Sequence, residues 1–306
     1  MKPVTATTYE ISREGTATRS RAADFLSLTK PRLNSLVLTT SAAAYFLGGG
    51  HELPWMQLLH TIVGTALVAG GASALNQVWE RDTDRLMRRT RLRPLPDGRL
   101  HPQDALWFGI ALAAVGIAEL TLGVNPMTAG VAAATLVSYV FLYTPLKVRT
   151  SLSTIAGAIP GALPAVIGWA AATNTLSIEG WVLFGIVFMW QMPHFLAIAW
   201  MFRDDYARAG MPVLPVVQPD GRTTAHQALL YSAGLVPVSF LPTAVGLASA
   251  YYLVGAMALG AILMVLSLEF ASTRAKHAAT RLFFGTILYL PLLWIVLLAD
   301  HFTHIK

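Results

Sequence analysis

The sequence predicts an all-α integral membrane protein, a single bundle of nine transmembrane helices, and three observations carry that prediction. Of 306 residues, 55% are hydrophobic and only 12% are charged, about half the charge of a typical soluble domain, which leaves too little polar material for a water-facing surface. Runs of roughly 20 mostly apolar residues, the length that crosses a hydrocarbon core about 30 Å thick, recur between charged or Pro- and Gly-rich breaks. Positive charge then sorts to one side of those runs: 21 of the 22 Lys and Arg fall in the N-terminal stretch or in alternate connections, as cytoplasmic retention of basic loops demands. The mean hydropathy of +0.55 agrees, as do eight Trp, 24 Gly and 17 Pro. The chain has no Cys, which excludes disulfide scaffolds, thiolate zinc sites, iron–sulfur clusters and cysteine nucleophiles.

Residues 1–24 are polar, rich in Thr, Arg and Ala, and lack the apolar run of a secretory signal; Glu10 and Glu14 interrupt the basic pattern of a transit peptide. They are expected to form a disordered cytoplasmic arm, with residues 25–306 as one membrane-embedded domain without internal repeats. The spans are expected near 33–49, 58–79, 105–122, 127–144, 153–171, 181–200, 228–245, 247–268 and 282–300. The least marked boundary is Gly246-Leu247-Ala248, between the seventh and the eighth. Dropping any one of the first eight spans would flip every later loop and scatter the basic residues over both faces. The expected topology is therefore multi-pass in the inner (plasma) membrane, N-terminus cytoplasmic and C-terminus on the opposite side.

Polar residues gather in two long inner connections, about 81–103 and 201–227. Just before the first of them, Asn76, Glu80 and Asp84 stand at i, i+4 and i+8, one stripe of a helix roughly 12 Å long. Lipid cannot accept such a stripe, so it must face the bundle interior or a watery cavity. Two carboxylates and an amide oxygen are hard ligands suited to Mg²⁺, which commonly takes one or two carboxylates and completes its shell with phosphate and water. The alternative, a solvated helix end with ordinary charge pairing, fits Arg81, Asp82 and Arg85. Five arginines follow between Arg85 and Arg93. They could be topogenic or headgroup-binding charge, but beside a carboxylate-held metal Arg88, Arg89 and Arg91 read as ligands of a diphosphate. Nucleic acid is not an expected partner, because the basic patch lies against the bilayer without interleaved aromatics. No Gly-rich phosphate loop is present either. Glu119 and Glu269, inside or at the end of apolar spans, are read as structural or interfacial.

The pattern Asn76-x-x-x-Glu80-x-x-x-Asp84 with Met87-x-Arg89-Thr90 resembles the first acidic motif of the UbiA superfamily of intramembrane prenyltransferases, most closely its haem-farnesylating branch. Further segments are similar in the same order: Leu28-Thr29-Lys30-Pro31-Arg32, Tyr143-Thr144-Pro145-Leu146-Lys147-Val148-Arg149-Thr150, Trp190-Gln191-Met192-Pro193-His194-Phe195, and Asp205-Tyr206-Ala207-Arg208-Ala209-Gly210 with Leu214-Pro215. The resemblance runs from about residue 25 to 300. It implies a helical bundle around a central cavity that opens sideways to lipid, with Asn76, Glu80 and Asp84 holding Mg²⁺ on the diphosphate of the donor. Arg32, Arg89 and Lys147 match diphosphate-contacting positions, Arg149 lies beside them, and Tyr143 matches a position next to the reactive carbon. One departure stands out. Where many relatives carry a second Asp-x-x-x-Asp motif, this chain has Phe202-Arg203-Asp204-Asp205-Tyr206, which leaves Asp204 and Asp205 as ligands through water at most.

The chemistry that the resemblance implies is ionisation of farnesyl diphosphate and attack by a vinyl group of haem B, with water addition, to give haem O. Haem A synthase is the implied partner for the product. Lipid surrounds the bundle, and haem B is a substrate, not a cofactor. His194 reads either as a haem-iron ligand or proton acceptor, or as a satisfied polar group at a Pro-broken turn. Met192, Met201 and the Trp residues read as packing or interfacial anchors. Prenylation of another aromatic, quinone-precursor or chlorophyll-type acceptor is the alternative within the enzyme class. A secondary transporter is the alternative outside it, although its polar clusters belong near the midplane instead of at one face.

Overall fold

The computed structural model describes residues 20–49 and 54–304, which form helices and no strand. Most of the expected N-terminal arm, residues 1–19, lies outside the described residues. A short first helix, α1 (Arg21–Leu28), begins inside that expected arm. Its physical cause is plain: the Ser20 side chain accepts from the Ala23 N–H as an N-cap, and buried Asp24 takes two hydrogen bonds from Arg99 Nε at 3.0 and 3.2 Å. Lys30, at φ +48°, then turns the chain in the left-handed region into Pro31, the first residue of α2 (Pro31–Gly49).

The helices that follow are α3 (Trp55–Leu86), α4 (Pro102–Gly123), α5 (Pro126–Val137) running through a π-helical turn (Ser138–Tyr143) into α6 (Thr144–Leu146), α7 (Ser153–Thr173), α8 (Ile178–Met201), α9 (Arg203–Arg208), α10 (Leu214–Val217), α11 (Arg222–Val238), α12 (Leu241–Ala244), α13 (Ala250–Thr273) and α14 (Lys276–His304). Among the described residues seven helical segments are long and apolar enough to cross a membrane: those starting at Trp55, Pro102, Pro126, Ser153, Ile178, Ala250 and Lys276. The first and seventh of the nine expected spans fall on α2 and α11, which do not meet that standard. The reason is compositional. Helix α2 buries Asn34, Thr40 and Ser41, and α11 is 17 residues long, opens on Arg222-Thr223-Thr224 and carries Pro237 near its end. The weakly marked boundary is real: the chain breaks after α12, turns at Gly246 with φ +79°, and restarts where Ser249 caps α13.

Helices pack closely where small residues meet, as they must when lipid gives no hydrophobic drive for association. A Cβ on Gly71 of α3 would sit 2.7 Å from the Gly109 carbonyl of α4, and one on Gly168 of α7 would collide with the Ser41 carbonyl of α2. These contacts fix α3 and α7 against their neighbours. The π turn has a local cause: Pro145 has no N–H to give to Phe141, and the helix widens just before it. That widening sets Tyr139 beside Tyr143, ring centroids 5.4 Å apart.

Candidate active site

The last turns of α3 carry the three predicted oxygen ligands inward. Asn76, Glu80 and Asp84 are all buried, while Trp79, Arg81, Asp82 and Arg85 on the opposite side are exposed. Burying two carboxylates is costly unless cations compensate, and three do. Lys147, just past α6, donates from Nζ to Glu80 Oε1 at 2.9 Å and Oε2 at 3.2 Å. Arg93 donates to Asp84 Oδ2 at 2.7 Å. Lys30 donates to Asn76 Oδ1 at 3.1 Å.

The two lysines titrate in opposite directions. Burial, joined by the repulsion of Arg93, pushes Lys30 down to about 8 despite the attraction of Glu80. Burial also disfavours the charge on Lys147, but Tyr143 and Glu80 outweigh it and raise its pKa above the usual lysine value. Lys147 Nζ lies 5.6 Å from the Tyr143 ring centroid, within cation–π range. That ring is braced from α7, where a Cβ on Gly157 would come within 2.6 Å of it. Asp84 Oδ1 is fully buried with no hydrogen-bond partner among the described residues. An orphaned carboxylate oxygen beside a second carboxylate and an amide oxygen is a donor set that fits a hard divalent cation. Among the described residues no group of three or more His, Cys, Asp or Glu side chains is arranged to hold a metal ion, so the amide oxygen of Asn76 is needed to complete the set.

The two long connections meet over this end of the bundle. Arg89 donates to the Tyr206 hydroxyl at 2.8 Å and lies over the Phe202 and Tyr206 rings at 5.3 and 5.1 Å. Met87, Tyr206, Ala209, Met211 and Val213 form a small core between the connections.

Other predicted site residues stand apart from the stripe. Arg32, Arg88, Arg91 and Arg149 are exposed and make no ion pair among the described residues. Asp204 is exposed, 4.0 Å from Arg203, and Asp205 is buried against Arg208. Neither carboxylate is paired with the stripe. His194 sits on α8 between the stacked rings of Trp190 and Phe283, centroids 5.2 and 5.0 Å away, with Nδ1 2.8 Å from Thr286 Oγ1 of α14. The acids read as structural are paired, Glu119 with His60 and Glu269 with Arg281, each at 2.7 Å.

The sequence reading did not single out Lys30, Arg93, Tyr139, Thr144 or Tyr206. Lys30, Thr144 and Tyr206 lay inside motifs that it quoted, and the signal for Lys30 was a lysine directly before a proline-started helix.

Comparison with known proteins places this geometry. Residues 36–294 match the model of the UbiA prenyltransferase family. A protoheme IX farnesyltransferase of Solibacter usitatus (strain Ellin6076) is 49% identical over 286 residues, 90% of this chain and 98% of the relative. The chain belongs to the UbiA prenyltransferase family. A second relative, the protoheme IX farnesyltransferase of Myxococcus xanthus (strain DK1622), is 45% identical over 91% of this chain and 95% of its own length. Solved UbiA-type structures share the fold at low identity. A digeranylgeranylglyceryl phosphate synthase superposes with a TM-score of 0.75 at 14% identity, covering 92% of this chain and 98% of that one. A UbiA homologue from Archaeoglobus fulgidus bound to GPP and Mg²⁺ superposes at 0.62 and 16% identity, covering 90% and 99%. The UbiA bundle therefore spans the helices described above, and the protein is an intramembrane prenyltransferase.

Proposed function

We propose that this chain transfers the farnesyl group of farnesyl diphosphate to a vinyl group of haem B, with addition of water, to give haem O. The observation that carries the reading is the 39–49% identity, over about nine-tenths of the chain, to relatives named protoheme IX farnesyltransferase. The geometry of the site supports it. Asn76, Glu80 and Asp84 would hold Mg²⁺, as the unpartnered Asp84 Oδ1 favours and as the Archaeoglobus fulgidus homologue with GPP and Mg²⁺ parallels. When bound, the ion would supply Lewis-acid stabilisation of the departing diphosphate.

The chain's own groups do the rest. Lys147, Lys30 and Arg93 present N–H donors at the mouth of the stripe; Lys147 and Arg93 can pass from carboxylate, and Lys30 from amide, to phosphate oxygens. Arg32, Arg88, Arg89, Arg91 and Arg149 add a basic rim that draws the anionic headgroup in. The Tyr143 ring, with Tyr139 beside it, offers a π face to an allylic cation. The apolar bundle keeps water from that cation until the acceptor has attacked. His194, held by Thr286 between two aromatic rings, would contact the haem, and Asp204 and Asp205 would act through water. The membrane would be the inner one, with the site facing the cytoplasm, and a haem A synthase would collect the product. Transport is disfavoured because the buried charges cluster at one end of α3 instead of at mid-span.

Incubating the purified protein with farnesyl diphosphate, haem B and Mg²⁺, followed by mass analysis of the haem, tests the reading. Farnesylated, hydrated haem is expected. Folded protein that leaves haem B unchanged, or prenylates only another acceptor, overturns it.

A further inference from the structure

Asn76 can serve a metal only if its amide oxygen, not its nitrogen, faces the site, and the surrounding hydrogen bonds decide which way an amide lies. Thr144, fully buried, has one hydroxyl proton, which it donates to the Tyr139 carbonyl at 2.9 Å. Its oxygen is left to accept, and the donor 3.1 Å away is Asn76 Nδ2. The amide oxygen is thereby turned the other way, where Lys30 Nζ donates to it at 3.1 Å. A flipped amide would set two acceptors against each other at Thr144 and two donors against each other at Lys30. The π turn supplies the rigidity: the Thr144 N–H also goes to the Tyr139 carbonyl, five residues back, so backbone and hydroxyl of Thr144 are tied to one oxygen.

We propose that Thr144 is a positioning residue: it locks the Asn76 amide with its oxygen toward the metal, and couples the turn that carries Tyr143 to the ligand stripe of α3. The proposal rests on the reading that Asn76, Glu80 and Asp84 hold the metal of a prenyl diphosphate.

The test compares Thr144→Val and Thr144→Ala, which remove the acceptor, with Thr144→Ser, which keeps it, all in the full chain. Mn²⁺ binding is followed by electron paramagnetic resonance in the presence of a slow-reacting thio analogue of farnesyl diphosphate, and steady-state turnover is measured alongside. Loss of a partner that orients a metal ligand costs about 10- to 100-fold in metal affinity. Val and Ala are therefore expected to weaken Mn²⁺ by at least about 10-fold and to raise the metal concentration for half-maximal turnover in parallel. The KM for haem should stay unchanged and Ser should bind like the parent. Wild-type Mn²⁺ affinity in the Val or Ala variant overturns the proposal. So does loss of folded protein in both with a normal Ser variant, because the hydroxyl would then hold the helix and not the amide. Failure of the parent protein itself to bind Mn²⁺ with the analogue would instead refute the underlying metal reading.

Discussion

Replacing Lys147 by Met asks whether buried ion pairing holds the site together. The Glu80 side chain is 4% exposed and takes both hydrogen bonds from Lys147 Nζ, the shorter at 2.9 Å. At that distance and an effective dielectric of about 20, the direct attraction is about 6 kcal/mol, most of it offset by the cost of taking two ions out of water. Deleting one partner leaves that cost uncompensated, which in buried pairs destabilises by about 3–5 kcal/mol. Lys30 also attracts Glu80, so the lower end, about 3 kcal/mol, is expected. Adding Glu80→Gln to Lys147→Met removes the orphaned charge and should recover most of the loss, a strongly non-additive cycle. Reversible unfolding in mixed micelles of rising SDS fraction, followed by fluorescence of the eight Trp, reads both variants. A thiol-reactive dye has nothing to report in a chain without Cys. A Lys147→Met protein as stable as the parent would refute the reasoning, as would a double variant less stable than the single one.

Three further outcomes follow from the same geometry. Asp84→Asn keeps the shape of the side chain but removes the charge and replaces one acceptor oxygen by an NH₂ donor; turnover should fall about 100-fold or more with folding retained, and Mg²⁺-dependent activity near the parent level would contradict the ligand assignment. Gly157→Ala puts a Cβ within 2.6 Å of the Tyr143 ring and should lower kcat by up to about 100-fold through displacement of the ring; an unchanged kcat would mean that Tyr143 has no role at the reacting carbon. Lys30 titrates near 8 in the protein without added substrate, and a diphosphate favours its charged form. Binding therefore takes up a proton above that pH, and donor affinity should fall as pH rises through about 8, a step that Lys30→Met abolishes; a flat affinity from pH 7 to 9 in the parent would count against Lys30 as a phosphate donor.

What the sequence makes legible is what periodicity and the bilayer enforce together. Asn76, Glu80 and Asp84 are readable because three polar residues on one stripe of an apolar helix have nowhere to go but inward. Their partners are not readable that way. Lys30 stands 46 positions before Asn76 and Lys147 stands 67 after Glu80, and only the tertiary fold brings them together. Nor can sequence say which of five neighbouring arginines does what. Arg93 turns to Asp84, Arg89 to Tyr206 and Arg85 to the Pro96 carbonyl, while Arg88 and Arg91 stay exposed. Tyr143 and Lys147 are reached through family resemblance, since an aromatic and a lysine at a helix end are common anchors in any membrane protein. The shortfall at α2 has the same origin: a helix that buries Asn34, Thr40 and Ser41 against its neighbours needs less apolar surface than one that faces lipid, whereas α11 falls short through its 17-residue length.

The balance of charge in the cluster carries the last step. Lys30, Lys147 and Arg93 stand against Glu80 and Asp84, a surplus of one positive charge in a region where solvent screens poorly. A bare divalent cation would deepen that surplus, and the two carboxylates are already engaged by Lys147 and Arg93. A prenyl diphosphate carries more negative charge than one magnesium ion carries positive, so the pair together relieves the surplus and gives each displaced cation a phosphate oxygen in exchange for its carboxylate. If the stripe holds the metal as proposed, the cations that let two carboxylates be buried at the membrane boundary would also make the site select an anion with a metal over a metal alone.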